Sequence, residues 1–177
     1  MQDEMKKWLG QMTDQEQSDA VPIHPPLVMH ELASAAPGDS IFICDTGTVT
    51  AWPARHLGLE PGQRYTLSSG LASMAYALPS AISAQLAYPE SRVFALAGDG
   101  GFAMLMGDFV TAVKYDLPIV VLVFNNAKLA FIALEQEAKG LPDWGTDLVN
   151  PRILPPSPKP AAAPVLPSSG QSSSNPR

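Results

Sequence analysis

The sequence predicts an α/β domain in which a doubly wound parallel sheet carries helices on both faces. Three observations predict it: almost wholly apolar runs of strand length ("SIFICD", "RVFALA", "PIVVLVFNN"), helical stretches between them, and glycine or asparagine clusters where two of those runs stop. Strands covered on both faces show no polar alternation, and strands that alternate with helices pair in parallel through crossovers. A chain of 177 residues is long enough for one such domain with a real core and too short for two large ones. Hydrophobic residues make up 46% and charged residues 16%, which fits a well-buried globular unit.

The elements follow in order. Residues 1–21, which open "MQDEMKKWLGQMTDQEQSDA", are polar and acidic and read as a linker or the end of an earlier helix. Pro25 and Pro26 suit a first helical turn; Leu27, Val28, Leu32 and Ala35 then give a helical face, and Pro37 with Gly38 ends it. "SIFICD" is a buried strand. "GTVTAWPARHLGL" reads as a short helix interrupted at Pro53, and "LASMAYALPSAISAQLAY" as a small-residue helix suited to close packing. Strand "RVFALA", helix "MLMGDFVTAVKYD", strand "PIVVLVFNN" and helix "LAFIALEQEAK" complete the repeat. Residues 151–177 break the pattern, holding eight of the 18 prolines, six serines and no acid. Such a stretch buries too little apolar surface to offset its chain entropy and is predicted to be disordered.

Composition removes several function classes. A net charge of -6 and a pI near 4.9, with no basic stripe, argue against nucleic acid as a partner. One cysteine, Cys44, excludes an internal disulfide, and without an apolar h-region behind Met1 the chain reads as cytoplasmic. No apolar run approaches the roughly 20 residues of a membrane span. His24, His30 and His56 lack metal-ligand spacing and read as surface or capping residues, and no Ser-His-Asp arrangement can be argued.

In doubly wound sheets ligands bind where strands end and helices begin. Gly98, Asp99, Gly100 and Gly101 ("GDGG") close one strand run, and Asn125 with Asn126 closes the next, 24 residues separating Gly100 from Asn125. Glycines let the backbone turn sharply and approach a ligand, and N–H groups at a helix start favour an anion. A bare Asp99 carboxylate would repel a phosphate, so a phosphate site here needs a cation between them. Mg²⁺ fits, because it takes hard oxygen ligands and is usually held by one or two carboxylates plus substrate phosphates. Asn126 offers a carboxamide oxygen as a second ligand. Alone, "GDGG" is a common turn and Asn-Asn a turn or helix cap; their combination is the specific signal. A dinucleotide site is the rival, since "GDGGFA" fits G-x-G-x-x-A. Asn125 and Asn126 stand where that pattern expects an acid, and Asp99 would face a pyrophosphate unneutralised.

GDG, about two dozen residues, then the asparagine pair resembles the signature of the thiamine diphosphate enzymes. From "HPPLVMHELASAAPGDSIFICDTGTVTAWPARHL" through "LASMAYALPSAISAQLAYPESRVFALAGDGGFAMLMGDFVTAVKYDLPIVVLVFNNAKLAFIALEQE" the chain looks like the C-terminal cofactor domain of pyruvate oxidases and pyruvate dehydrogenase (quinone), over residues 22–150. The resemblance implies Mg²⁺ held by the Asp99 carboxylate, the Asn126 side-chain oxygen and the backbone carbonyl of Lys128. It implies that Gly98, Gly100 and Gly101 hold the diphosphate with Thr46, Gly47 and Thr48. Met74 matches the residue that props the cofactor in a bent V shape, and equally reads as a core methionine. Phe131, Ile132 and Glu135 match the substrate side; Phe131 and Glu135 stand four apart, so one helix face can present both.

The chemistry implied is decarboxylation of a 2-keto acid, pyruvate, at the cofactor, with electrons passed to FAD. The family's activating glutamate lies in an N-terminal domain, usually of a partner subunit, so a homo-oligomer or partner subunit is implied; neither that domain nor a flavin domain is found in this chain. Alternatives are another thiamine diphosphate enzyme of the acetolactate synthase or decarboxylase group, and an inactive fragment that keeps the fold. The sequence departs from its relatives at Ala130, where they carry glycine. The likeness is placed to end near Asn150, before the family's last strand and helix, which reads as a truncated product with an uncovered sheet edge. "DWGTD", with Trp144, resembles the loop after the active-site helix and reads most simply as a surface loop.

Overall fold

A computed structural model describes residues 2–17 and 19–148. The predicted disordered tail, 151–177, lies outside them. Four strands, β1 (Ile41–Cys44), β2 (Arg64–Leu67), β3 (Val93–Gly98) and β4 (Val120–Phe124), form one parallel sheet in the order β2-β1-β3-β4. Among the described residues seven α-helices accompany them: α1 (Gln2–Glu16), α2 (Pro25–Ala35), α3 (Ala51–His56), α4 (Ala77–Ala87), α5 (Asp99–Leu105), α6 (Phe109–Lys114) and α7 (Ala130–Ala138). The doubly wound α/β class predicted above is the class observed.

The lack of alternation in the strands has its cause in two buried faces. Phe42, Cys44, Phe94 and Leu96 point to one side, where they meet Met29 and Leu32 of α2 and Val49. Phe42 and Phe94 stack at 5.3 Å between ring centroids. Ile41, Ile43, Val93, Ala95 and Ala97 point to the other side, against Ala77 and Ala81 of α4. Those two alanines are fully buried, so helix and sheet approach closely, as the small-residue composition predicts. Burial also pushes the Cys44 thiol up to about 11, which leaves it protonated and inert at neutral pH.

Several boundaries differ from the sequence reading, each for a local reason. Helix α4 begins at Ala77, because Ala72 and Ala75 take left-handed φ angles of 49° and 63° and keep 71–76 out of it. Pro53 sits in the first turn of α3, where its missing N–H costs nothing, so it does not interrupt the helix. The "MLMGDFVTAVKYD" segment is two helices joined by a 3₁₀ turn at Met106–Asp108, and the first starts at Asp99, directly after β3. Strand β2 was not foreseen at all. It lies at the sheet edge and carries the mixed sequence "RYTL".

Residues 2–16 take the helical of the two readings given above: they form helix α1, which packs on α2 and α3. Met12 is its buried anchor. His56, read as a surface or capping residue, is buried, and its Nδ1 lies 2.8 Å from Glu16 Oε1 at the end of α1; His30 Nδ1 lies 3.5 Å from Glu16 Oε2. Removing the carboxylate leaves the buried imidazole unpaired, so Glu16→Ala is expected to lower stability by about 1–3 kcal/mol. Urea unfolding of the variant beside the parent checks this, and a change under a few tenths of a kcal/mol would show that Met12 alone docks α1.

Candidate functional site

The chain passes from β1 outward to β2 and returns on the other side of β1 as β3, so the winding reverses between β1 and β3. Crevices at the carboxyl ends of strands flanking such a reversal are where doubly wound sheets take ligands. A cavity of about 630 Å³ lies there, of a size typical for a cofactor site. Its wall includes Thr46, Gly47 and Thr48 after β1, Gly98–Gly101 after β3, Asn125, Asn126 and Lys128 after β4, Met74 from the loop before α4, and Phe131 and Ile132 from α7. Every predicted site residue except Glu135 is therefore brought to one cavity. Glu135 is exposed, one turn beyond Phe131 on α7.

Backbone hydrogen bonds fix the polar end. Asp99 Oδ1 accepts the Gly100 N–H at 3.0 Å and Oδ2 accepts the Ala127 N–H at 2.8 Å, so one carboxylate ties the end of β3 to the loop after β4. Asn125 Oδ1 also accepts from Ala127, at 3.1 Å, and Asn126 Oδ1 accepts the Lys128 N–H at 3.1 Å. The left-handed residue of this loop is Ala127, with φ 55°, and Ala130 opens α7. The Lys128 ammonium is engaged by Asp143 and, at 2.9 Å, by Asp147. The hydrogen bond that the Lys128 ammonium donates to Asp143 is the main cause that raises the Lys128 pKa and lowers that of Asp143. In "DWGTD" Trp144 is 82% exposed and its backbone is held by the Gln136 side chain, whereas Thr146 is buried and its carbonyl accepts the Leu129 N–H at 2.7 Å.

Gly47 has φ 139°, which side-chain-bearing residues rarely adopt. A Cβ on Gly100 would stand 3.0 Å from Leu129 Cδ2, 3.4 Å from Leu148 Cδ1 and 3.8 Å from the Met74 methyl, so a bare backbone with Met74 beside it floors the cavity. The Thr46 hydroxyl, on the cavity wall, is buried and without a hydrogen-bond partner. Among the described residues no three His, Cys, Asp or Glu side chains converge as a metal cluster. A metal at Asp99 would thus draw on amide or carbonyl oxygens and on its ligand, the donor set that Mg²⁺ with a diphosphate uses.

One residue of this region went unrecognised in the sequence. Asp45, directly after β1, is 1% exposed, and its Oδ1 accepts the N–H groups of Thr46 and Tyr76, each at 3.0 Å. Its Oδ2 is buried without a partner. Burial raises the Asp45 pKa, against the pull of the Thr46, Tyr76 and Ala75 N–H groups. An acid ending an apolar strand run, "SIFICD", was the available signal.

Residues 45–159 match the family described as "Thiamine pyrophosphate enzyme, C-terminal TPP binding domain". The chain belongs to this family. The match runs past Asn150, where the likeness was placed to end. YdaP of Bacillus subtilis (strain 168) is 43% identical over 146 residues, 82% of this chain and 25% of that protein. Pyruvate oxidase of Lactiplantibacillus plantarum is 38% identical over 133 residues, 75% of this chain and 22% of that enzyme. The large subunit of acetolactate synthase isozyme 2 of Escherichia coli is 30% identical over 115 residues, covering 65% and 21%. The chain thus spans about a quarter of the length of the first two relatives. The matched residues hold β2, β3 and β4, which with β1 just before them form the four-stranded parallel sheet, and no helix among the described residues is long and apolar enough to cross a membrane.

Proposed function

We propose that this domain binds thiamine diphosphate through Mg²⁺ as the cofactor domain of an oxidoreductase that decarboxylates pyruvate, of the pyruvate oxidase or pyruvate dehydrogenase (quinone) type. The observation that carries the reading is the single cavity at the strand ends, with Asp99 and Asn126 at its polar end and Met74, Phe131 and Ile132 on its apolar walls. When bound, the cofactor supplies a nucleophilic carbon and an electron sink. Asp99, Asn126 and the Lys128 carbonyl hold the metal, while the Lys128 ammonium stays committed to Asp143 and Asp147. Gly98, Gly100 and Gly101, with Thr46, Gly47 and Thr48, receive the diphosphate, and the unpartnered Thr46 hydroxyl gains an acceptor. Met74 props the bent cofactor. Phe131 and Ile132 keep water from the substrate side, with Glu135 one turn further along α7. The activating glutamate and FAD come from outside these residues, the glutamate from a partner subunit of a homo-oligomer. The cytoplasm is the compartment that fits a lone, buried, reduced cysteine.

Calorimetric titration of the purified chain with thiamine diphosphate tests the reading. Binding is expected with Mg²⁺ and not after chelation. A folded chain that binds nothing, or that binds NAD without metal, overturns it. The similarity to acetolactate synthase favours a second reading, in which the same domain serves carbon–carbon bond formation between two 2-keto acids. Product analysis of the assembled enzyme with pyruvate separates the two, since oxidation consumes an electron acceptor and ligation does not.

A further inference from the structure

The Asp45 carboxylate touches three segments of the cofactor cavity at once without itself lining it. Through Oδ1 it holds the first residue of the Thr46–Thr48 segment and the Tyr76 N–H, the end of the loop that carries Met74. Through Oδ2 it fills the space that a side chain on Gly101 would need: a Cβ there would stand 1.8 Å from Oδ2. Its own backbone is fixed as well, its N–H donating to Leu96 at 2.8 Å and its carbonyl accepting the Thr50 hydroxyl at 2.9 Å. Loop 71–76 is also held by the Ser73 N–H, which donates to Ser68 Oγ at 3.1 Å, and by the Tyr76 hydroxyl, 3.2 Å from Thr66 Oγ1. Leu71 is 90% exposed, and two non-glycine residues there are left-handed.

We propose that Asp45 is a positioning residue for the cofactor: as an acceptor of the Tyr76 N–H it sets the loop that places Met74 over Gly100. This rests on the thiamine diphosphate reading given above. A carboxylate that large desolvation works against stays buried because something needs its geometry, and here the dependent feature is a cavity wall. The role calls for an acceptor oxygen, not for a charge. Asparagine in the same place keeps an oxygen for the Thr46 and Tyr76 amides.

The test compares two probes on the full chain, thiamine diphosphate and inorganic diphosphate, each titrated with Mg²⁺. Asp45→Ala is expected to weaken thiamine diphosphate binding about tenfold or more and inorganic diphosphate binding by less, since Asp45 holds the Thr46 N–H on the diphosphate side and, through Tyr76, the loop that carries Met74. Asp45→Asn is expected to restore thiamine diphosphate binding to within about threefold of the parent. Equal loss for both probes would show a merely structural role, and an asparagine variant as weak as the alanine one would show that the charge is what matters; either result overturns the proposal. Should Asp45→Ala not fold, hydrogen exchange on the parent chain decides. The Tyr76 amide is expected to be protected, and exchange as fast as at Leu71 sinks the idea. If the parent binds neither probe, the cofactor reading falls, while the same exchange experiment still judges the pin.

Discussion

Asp99→Ala is expected to abolish Mg²⁺-dependent binding of thiamine diphosphate, the larger of the two effects on ligand binding foreseen for this chain. The side chain serves twice. Without metal, its two oxygens accept the N–H groups of Gly100 and Ala127 and so join the end of β3 to the loop that carries Asn126 and Lys128. With metal, in the reading proposed here, it supplies the negative charge between Mg²⁺ and the protein, and among the described residues no other carboxylate lines the cavity. Mg²⁺ held by one carboxylate and neutral oxygens loses most of its affinity when that carboxylate goes. Affinity is expected to fall by about a hundredfold or more, the equivalent of roughly 3 kcal/mol. The measurement is a calorimetric titration of parent and variant at fixed Mg²⁺, with circular dichroism to establish that both are folded. Asp99→Asn separates the two roles, since it keeps an acceptor for one of the backbone N–H groups and loses the charge. If Asp99→Asn binds as the parent does, the metal assignment is wrong and Asp99 is a loop tie only.

What was legible in the sequence follows from how far apart the interacting residues lie. Three strands announced themselves because Ile41–Cys44, Val93–Ala97 and Val120–Phe124 are apolar at every position; β1 and β3 are buried on both faces, whereas β4 lies at the sheet edge and is only partly buried. Edge strand β2 was missed because its alternation, Tyr65 and Leu67 packed on the core between Arg64 and Thr66, spans only four residues; Arg64 sets its guanidinium 4.3 Å from the centroid of the Tyr88 ring. Helix α1 reads as polar because a single methionine and one carboxylate dock it, and the partner of Glu16 is His56, 40 residues away. The same limit hid Asp45. Thr46 is its neighbour in sequence, but Tyr76, 31 positions on, and Gly101 meet it only in the folded chain. By contrast, Asp99 and the asparagine pair were legible because each closes an adjacent parallel strand, and parallel pairing in register brings consecutive strand ends together without further information.

Gly101→Ala is expected to cost about 3–5 kcal/mol of stability, although alanine is the better helix former by about 1 kcal/mol and Gly101 lies inside α5. The added methyl would stand 1.8 Å from Asp45 Oδ2 and 2.8 Å from its Cγ, and 3.4 Å from the Ala75 nitrogen. A long, exposed side chain would swing aside. Asp45 has no such freedom: its side chain is short, buried and bonded at Oδ1 to two backbone N–H groups, so relief means breaking those bonds or moving α5 off the sheet. The cause is therefore local and can be removed. In an Asp45→Ala background the space beside residue 101 is open, and Gly101→Ala is expected there to be neutral or stabilising by up to about 1 kcal/mol, the helix propensity alone. Urea unfolding of the parent, the two single variants and the double variant gives the coupling directly. A coupling energy near zero, with Gly101→Ala equally costly in both backgrounds, would mean that the glycine is needed for its backbone freedom and not for the carboxylate packed against it.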